Sequence, residues 1–368
     1  MSPRRHLFWF LALAALPSAP ACGDPEIKTL EKKGQHIDVH YAEDFELCEG
    51  TVPSFDRGIV FVAEQLGLDT ETFDHMTFTW LTAEELDEAS HFFFDGQAGW
   101  AWGSKSYGRH PLIFHELVHM IAHQEKYNAI TFFTEGLAVA FEEGSSRRYS
   151  PAEIVDPRPY LGVRYDKIDY QVAGAFVTYL LSRFGPEPFW QLNRDLRYFS
   201  TEGKFRRRFA AVYGIDLDEV VDSYMTDETC PEGAFAIPQP PSCAADEIPW
   251  RSEDQWAYSR IVDCADDDVA GGDGTDDIAE IALTLRIETP GRYTLSILSD
   301  YEVTGVMHRC GSCPWLYSDT VFDGFDGFDA EAEAEFTEGL YSLVLRSRAS
   351  DSTSLAVELR PSPPNNPY

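Results

Sequence analysis

The chain is short of basic residues. Lysine and arginine together number 29 against 62 aspartates and glutamates, a formal net charge of −33 at pH 7. Arg4 and Arg5 lie in a leading segment that reads as removable, which leaves 27 cations against 62 anions and a net charge of −35. Phosphate backbones and anionic lipid faces repel such a surface, so nucleic acid and membrane faces are excluded as partners. The charge speaks for solubility outside the cytoplasm and does not name a substrate. Long apolar runs are missing as well: the stretch Leu7 to Leu16 falls short of the roughly 20 residues that cross a bilayer. Cysteine is sparse. None lies near the histidines discussed below, so thiol catalysis there has no support. Cys310-Gly311-Ser312-Cys313 has no second CxxC and no βαβ setting, so it reads as part of a structural disulfide framework rather than a redox or zinc pair.

Residues 1–21 have the form of an export signal, with Arg4 and Arg5, the apolar run, then Pro17-Ser18-Ala19-Pro20-Ala21. Two endings fit it. Ala19-Pro20-Ala21 is an A-x-A cleavage site, whereas Cys22 directly after it resembles a bacterial lipoprotein start, with Ala19 and Pro20 departing from the usual lipobox. Arg4-Arg5-His6-Leu7-Phe8 also resembles a twin-arginine signal. Export to the cell envelope or beyond is expected in each case, and the membrane is reached only through a lipid on Cys22. Setting Cys22 aside leaves Cys48, Cys230, Cys243, Cys264, Cys310 and Cys313. Outside the cytoplasm, six thiols most often form three disulfides, in one of fifteen connectivities.

The densest chemistry lies in His115-Glu116-Leu117-Val118-His119, an HExxH sequence. On a helix, residues four apart share a face, so both imidazoles can reach one cation while Glu116 holds a water beside it. Two histidines, a carboxylate and an open position suit a catalytic zinc rather than a closed structural one. Ile113, Leu117, Met120 and Ile121 form an apolar stripe, which places the motif in an amphipathic helix over about 110–124. A second helical run, 132–144, puts Phe133, Leu137, Ala140 and Phe141 on one face. His123 is a poor third ligand, because on an unbroken helix it stands about 80° from His115. Glu135 is the better one: it opens the second helix and precedes Gly136, which permits close helix approach.

At this point the chain resembles the gluzincin metallopeptidases, which include thermolysin and the aminopeptidase-N-like and peptidase-MA-like families. Their third ligand is a Glu in an EG[LF]A-type helix, and the matching residues are Glu135-Gly136-Leu137-Ala138. The likeness is specific around 109–143 and extends in layout over about 36–235. The interval from His119 to Glu135 is a little shorter than usual, which leaves Glu142 and Glu143 as contenders or as solvated helix charges. The resemblance implies one zinc ion held by His115, His119 and Glu135. It also implies Glu116 as general base and a downstream Tyr or His steadying the oxyanion. Tyr170 is the first choice for that last role, with Tyr165 and Tyr160 behind it; its plain reading is a packing tyrosine.

The layout expected is α+β: a zincin-like metallopeptidase domain followed by a small antiparallel β-sandwich domain. After the signal peptide come a polar tether (22–35), the metallopeptidase domain (36–237), a Pro-rich linker (238–249), the β-sandwich (250–361) and a tail (362–368). Within the first domain, strands are expected at 36–41 and 76–81 and helices at 52–67, 170–184 and 187–225. Residues 98–103 read either as an edge strand or as an aromatic loop. In thermolysin-like peptidases an edge strand there holds extended substrate by strand addition. Beyond the linker the apolar period becomes two, as in 281–287, 293–297, 341–345 and 354–359. Two Asp-rich loops, 266–277 and 323–329, offer carboxylates to calcium but lack EF-hand spacing, so solvated turns are the expected reading. The function expected is an exported zinc peptidase acting on peptide or protein substrates. The alternative is an envelope lipoprotein whose zincin fold binds zinc but is catalytically silent.

Overall fold

The computed structural model describes residues 29–89, 98–125, 130–142, 155–161, 167–196, 200–226, 239–310, 320–323 and 329–362. The expectations for the signal segment, Cys22, Glu143, Tyr165, Cys230, Cys313 and the body of the 323–329 loop therefore lie outside the described residues. The architecture is α+β, with eight α-helices and three sheets among the described residues.

The first sheet is mixed. It is built from β1 (Thr29–Lys33), β2 (Ile37–Ala42), β4 (Met76–Trp80), β5 (Gly99–Trp102) and β6 (Lys105–Gly108), in the order β1-β2-β4-β6-β5. The pairs β2–β4 and β4–β6 are parallel, while the outer strands β1 and β5 run antiparallel to their neighbours. Ile37, Val39, Met76, Phe78 and Trp80 are buried at alternate positions, as period-two strands require. The helices of this half are α1 (Thr51–Gln65), α2 (Ala83–Ala89), α3 (Phe114–Gln124), α4 (Thr131–Phe141), α5 (Tyr170–Phe184), α6 (Pro186–Asp195), α7 (Glu202–Tyr213) and α8 (Leu217–Thr226). One core joins the sheet to all of these helices but α2, whose Leu86 packs in a small separate cluster with Leu81 and Tyr107.

Several expected boundaries move. The tether is a strand from Thr29 onward, antiparallel to β2. The single helical stretch expected over 187–225 is divided among α6, α7 and α8, with Gly214 in the left-handed region (φ 71°) closing α7. The motif helix begins at Phe114 rather than 110, behind Pro111.

Two antiparallel sheets make the other half. The four-stranded one has the order β13-β10-β15-β7, from β13 (Asp329–Phe336), β10 (Gly291–Ser299), β15 (Thr353–Pro361) and β7 (Trp256–Val262). The six-stranded one is β12 (Thr320–Asp323), β11 (Thr304–Arg309), β14 (Gly339–Ser347), β9 (Ile278–Ile287), β8 (Ala270–Asp273) and β3 (Glu46–Leu47), in that order. Their facing residues, among them Trp256, Leu283, Leu295, Leu343 and Val357, enclose a common core in a sandwich-like arrangement.

Its last strand, β3, comes from the N-terminal part of the chain, so the two halves share a sheet. A Cys48–Cys264 disulfide fixes the same junction, and Cys243–Cys310 ties the segment after Gln239 to β11. Cys310 thus pairs outside its own CxxC. The stretch read as linker is anchored from Gln239, whose N–H donates to Gln65 Oε1 (2.6 Å) and whose carbonyl accepts from Gln65 Nε2 (3.2 Å). No described helix is long and apolar enough to cross a membrane.

Candidate metal centre

Packing on both sides fixes α3. Leu117, Val118, Met120, Ile121 and Ala122 are buried, and Phe114 meets Phe55 of α1 edge to face at 5.6 Å. The opposite face carries His115 and His119, one turn apart, with ring centroids separated by 4.9 Å. Helix α4 is buried along nearly its whole length and delivers Glu135 to the same place. Its approach to α5 depends on Gly136 and Gly174. A Cβ on Gly136 would stand 2.6 Å from the Ala173 carbonyl oxygen, and one on Gly174 would stand 2.4 Å from Val139 Cγ1. These two glycines let α4 sink until Glu135 faces the histidines.

The geometry is compact. Glu135 Oε2 lies 3.2 Å from His115 Nε2 and 3.4 Å from His119 Nε2. One nitrogen from each histidine and one Glu135 oxygen all lie within 4.8 Å of one another, the one such group of three found among the described residues. Two imidazole nitrogens and a carboxylate oxygen on a common focus are a donor set suited to zinc. All three residues are largely buried, as is Glu116.

Without a cation, protons fill the role of the positive charge. Burial works against a charged His115, but its hydrogen bond to Glu135, the nearby Glu142 carboxylate and the charges of Glu116 and Glu135 prevail and raise its imidazole to about 10. Burial would raise Glu135, yet the charge of His119 and the hydrogen bonds from both histidines hold it far below the usual carboxylate range. Glu116 shifts the other way. Burial raises it, opposed by His119 and His115 and assisted by the charges of Glu135 and Glu142. The site therefore holds one carboxylate firmly ionised and a second poised to take a proton.

The remaining candidates separate clearly. Tyr170 starts α5 with its ring centroid 6.1 Å from that of His115. Tyr160 packs against the main core. His123 lies one turn past His119, outside the three-donor group; its Nδ1 is buried with no hydrogen-bond partner, and burial lowers its imidazole. Glu142 is not placed as a third donor: its Oε2 lies 3.6 Å from His115 Nδ1, the nitrogen turned away from Glu135. Sequence reasoning missed this orienting position. The signal was the seven-residue spacing from Glu135, two helical turns and therefore one face.

In the Asp-rich loop 266–277, side chains pair with protein groups. Asp266 and Asp268 meet Arg260, Asp276 meets His110, and Asp277 accepts from the Ser350 N–H (2.8 Å) and hydroxyl (2.7 Å).

No family model matches the chain, and no curated protein matches it. Among solved structures it is similar to the crystal structure of the pre-peptidase C-terminal domain of a collagenase from Bacillus anthracis. That likeness is at 12% identity and a TM-score of 0.21, covering 29% of this chain and 89% of that one. It is too slight to bear on fold or function.

Proposed function

We propose that this chain is an exported zinc metallopeptidase of zincin type, which hydrolyses peptide bonds in extended peptide or protein substrates. The observation that carries the reading is the convergence of His115, His119 and Glu135 with a buried, unengaged-by-ligand-duty Glu116 one residue along the same helix. Zinc, when bound by these three residues, would supply a Lewis acid and lower the pKa of a water toward about 7. Glu116 takes the proton of the attacking water and returns it to the leaving amine, a task that suits a carboxylate raised by burial. Tyr170, beside His115, is the donor proposed for the oxyanion. Glu142 steadies His115 from its far nitrogen.

Strand β5 offers a place for the substrate. It is one of the two outer strands of the first sheet, and a Cβ on its Gly99 would touch Glu116 Cγ at 3.0 Å. An extended peptide added to this edge would pass next to the general base. Trp102, 75% exposed at the end of β5, then stands against the substrate.

The test pairs metal analysis with an unbiased peptide-cleavage profile on mature protein purified without chelators. One zinc per chain and cleavage abolished by Glu116→Gln are expected. Zinc without turnover on any peptide would leave a silent binding module, and no zinc after replenishment would remove the catalytic reading altogether.

A further inference from the structure

The turn 273–277 between β8 and β9 draws attention in the sequence by its aspartates, but in the structure it faces the other half of the molecule. Thr275 Oγ1 donates to the Arg109 carbonyl at 2.6 Å. Trp80 Nε1 reaches the same carbonyl at 3.1 Å and Thr275 Oγ1 at 3.2 Å, while Asp276 pairs with His110. The turn can lie flat on the Trp80 indole because Gly272 and Gly274 have no side chains. A Cβ on Gly272 would come within 2.7 Å of the ring, and one on Gly274 within 2.8 Å. Trp80 is fully buried beneath it, against Phe45 at 4.4 Å.

What the turn grips is the short link between β6 and the metal helix. Arg109 follows β6 directly, and its N–H donates to the Ala98 carbonyl just ahead of β5 (3.0 Å). From there only residues 109–113 lead to Phe114, the first residue of α3. Pro111 fixes its own φ. Ile113 is wedged against the backbones of Gly99 and Gly108, where an added Cβ would meet it at 2.9 and 3.0 Å. A link so short and so confined has little slack, so a displacement at Arg109 and His110 passes to the first turn of α3, which carries His115 and Glu116.

We infer that the β8–β9 turn is a brace for the metal centre. Thr275 and Asp276 are positioning residues, and through Arg109 and His110 the second half of the molecule sets where His115 and Glu116 stand. The inference rests on the metal site and reaches beyond hydrolysis itself, since neither residue touches ligand or substrate. Loss of a group bonded directly to a metal ligand typically costs about 10–100-fold in metal affinity. Thr275 and Asp276 act one step further out, through Arg109 and His110, so the expected loss lies at the lower end of that range.

The experiment uses the full mature chain carrying Thr275→Val and Asp276→Asn together, with zinc as the probe. Zinc affinity is read by chelator competition, kcat and KM on a cleaved peptide, and the unfolding temperature in parallel. Glu333→Gln, which breaks a distant Arg292 ion pair on β13, serves as control. The brace predicts zinc affinity lowered about tenfold or more, kcat reduced with KM held, and recovery of both in Thr275→Ser with Asp276→Glu. Zinc affinity within twofold of wild type in the double variant, or an equal loss in the control, overturns it. Zinc affinity needs no substrate. A wild-type protein that binds zinc and cleaves nothing therefore defeats the peptidase reading while the zinc measurement still decides the brace.

Discussion

Glu116 and Glu135 are both buried carboxylates, and their surroundings push them in opposite directions: burial raises Glu116, while His119 and His115 overcome burial and hold Glu135 down. The difference assigns them different work, which substitutions can separate. Glu116→Gln keeps the shape but not the base, so zinc should stay while turnover falls by about 10²–10⁴. Glu135→Gln removes an anionic ligand, so zinc affinity should fall, with activity partly restored by added metal. Glu142→Gln, at 3.6 Å from His115 Nδ1, should weaken zinc by about tenfold. If Glu135→Gln keeps full affinity and Glu142→Gln loses it, the third ligand is Glu142. The proton on His115 gives a second measurement. A group raised in the folded state favours folding below its ordinary value and loses that contribution as pH rises through its folded value, here about 10. Zinc must displace this proton, so binding near pH 7.5 should release about one proton, and apparent affinity should rise about tenfold per pH unit toward that value. Calorimetry in buffers of different ionisation enthalpy reads the proton directly; no release would mean that His115 is neutral in the metal-free protein.

Helices α4 and α5 show how an element's position, rather than its existence, makes the site. Gly136→Ala would drive a methyl to 2.6 Å from the Ala173 carbonyl, an overpacking that costs about 1–3 kcal/mol. Because α4 would move away from α5 and take Glu135 with it, zinc affinity should fall along with the unfolding temperature. Gly203→Ala in α7, where the nearest contact is a flexible Arg207 atom at 3.6 Å, should leave zinc binding alone. Equal zinc affinity in both variants would show that α4 placement is not limiting. This closeness was partly legible in the sequence: Gly136 directly after Glu135 signals close approach, whereas its counterpart Gly174, inside a long apolar run, carries no separate mark. Strongly periodic stretches such as α1, α3, β4 and β9 were readable for the same reason that they are buried on one face. Others were not. Thr29–Lys33 is a charged outer strand, with no apolar alternation to betray it. The four residues of β6 are too few to show a period, and the two residues of β3 gain meaning only from β8, more than 200 positions away in sequence. The metal ligands were legible because one helix holds two of them. Glu142 lay on the face of Glu135 but needed the observed turn of the His115 ring to receive a role.

At the scale of the whole molecule, a proline-rich stretch ending near residue 242 invites division into two independent domains, and the structure shows how much such a cut would expose. Strand β3 pairs with β8, and Thr51 Oγ1 exchanges buried hydrogen bonds with Gly271 at 2.8 and 2.9 Å. Trp80 and Phe45 are roofed by the glycines at 272 and 274. The Cys48–Cys264 bridge spans 216 positions, a loop whose closure stabilises by about 5 kcal/mol on the chain-entropy account. A mature chain ending at 237 would uncover an indole, leave Thr51 Oγ1 without its Gly271 partner, remove one of the two donors to the Arg109 carbonyl and strip β3 of its sheet. Buried polar groups left unpaired cost about 1–3 kcal/mol each, and a domain's net stability is only about 5–15 kcal/mol. We therefore expect the truncated chain to elute as aggregate in size-exclusion chromatography, or to bind zinc at least tenfold more weakly than the full chain. The outcome against this is specific: a monomeric fragment with full-length zinc affinity and a cooperative unfolding transition would mean that the first half folds alone, and that the shared sheet only ties the two halves together.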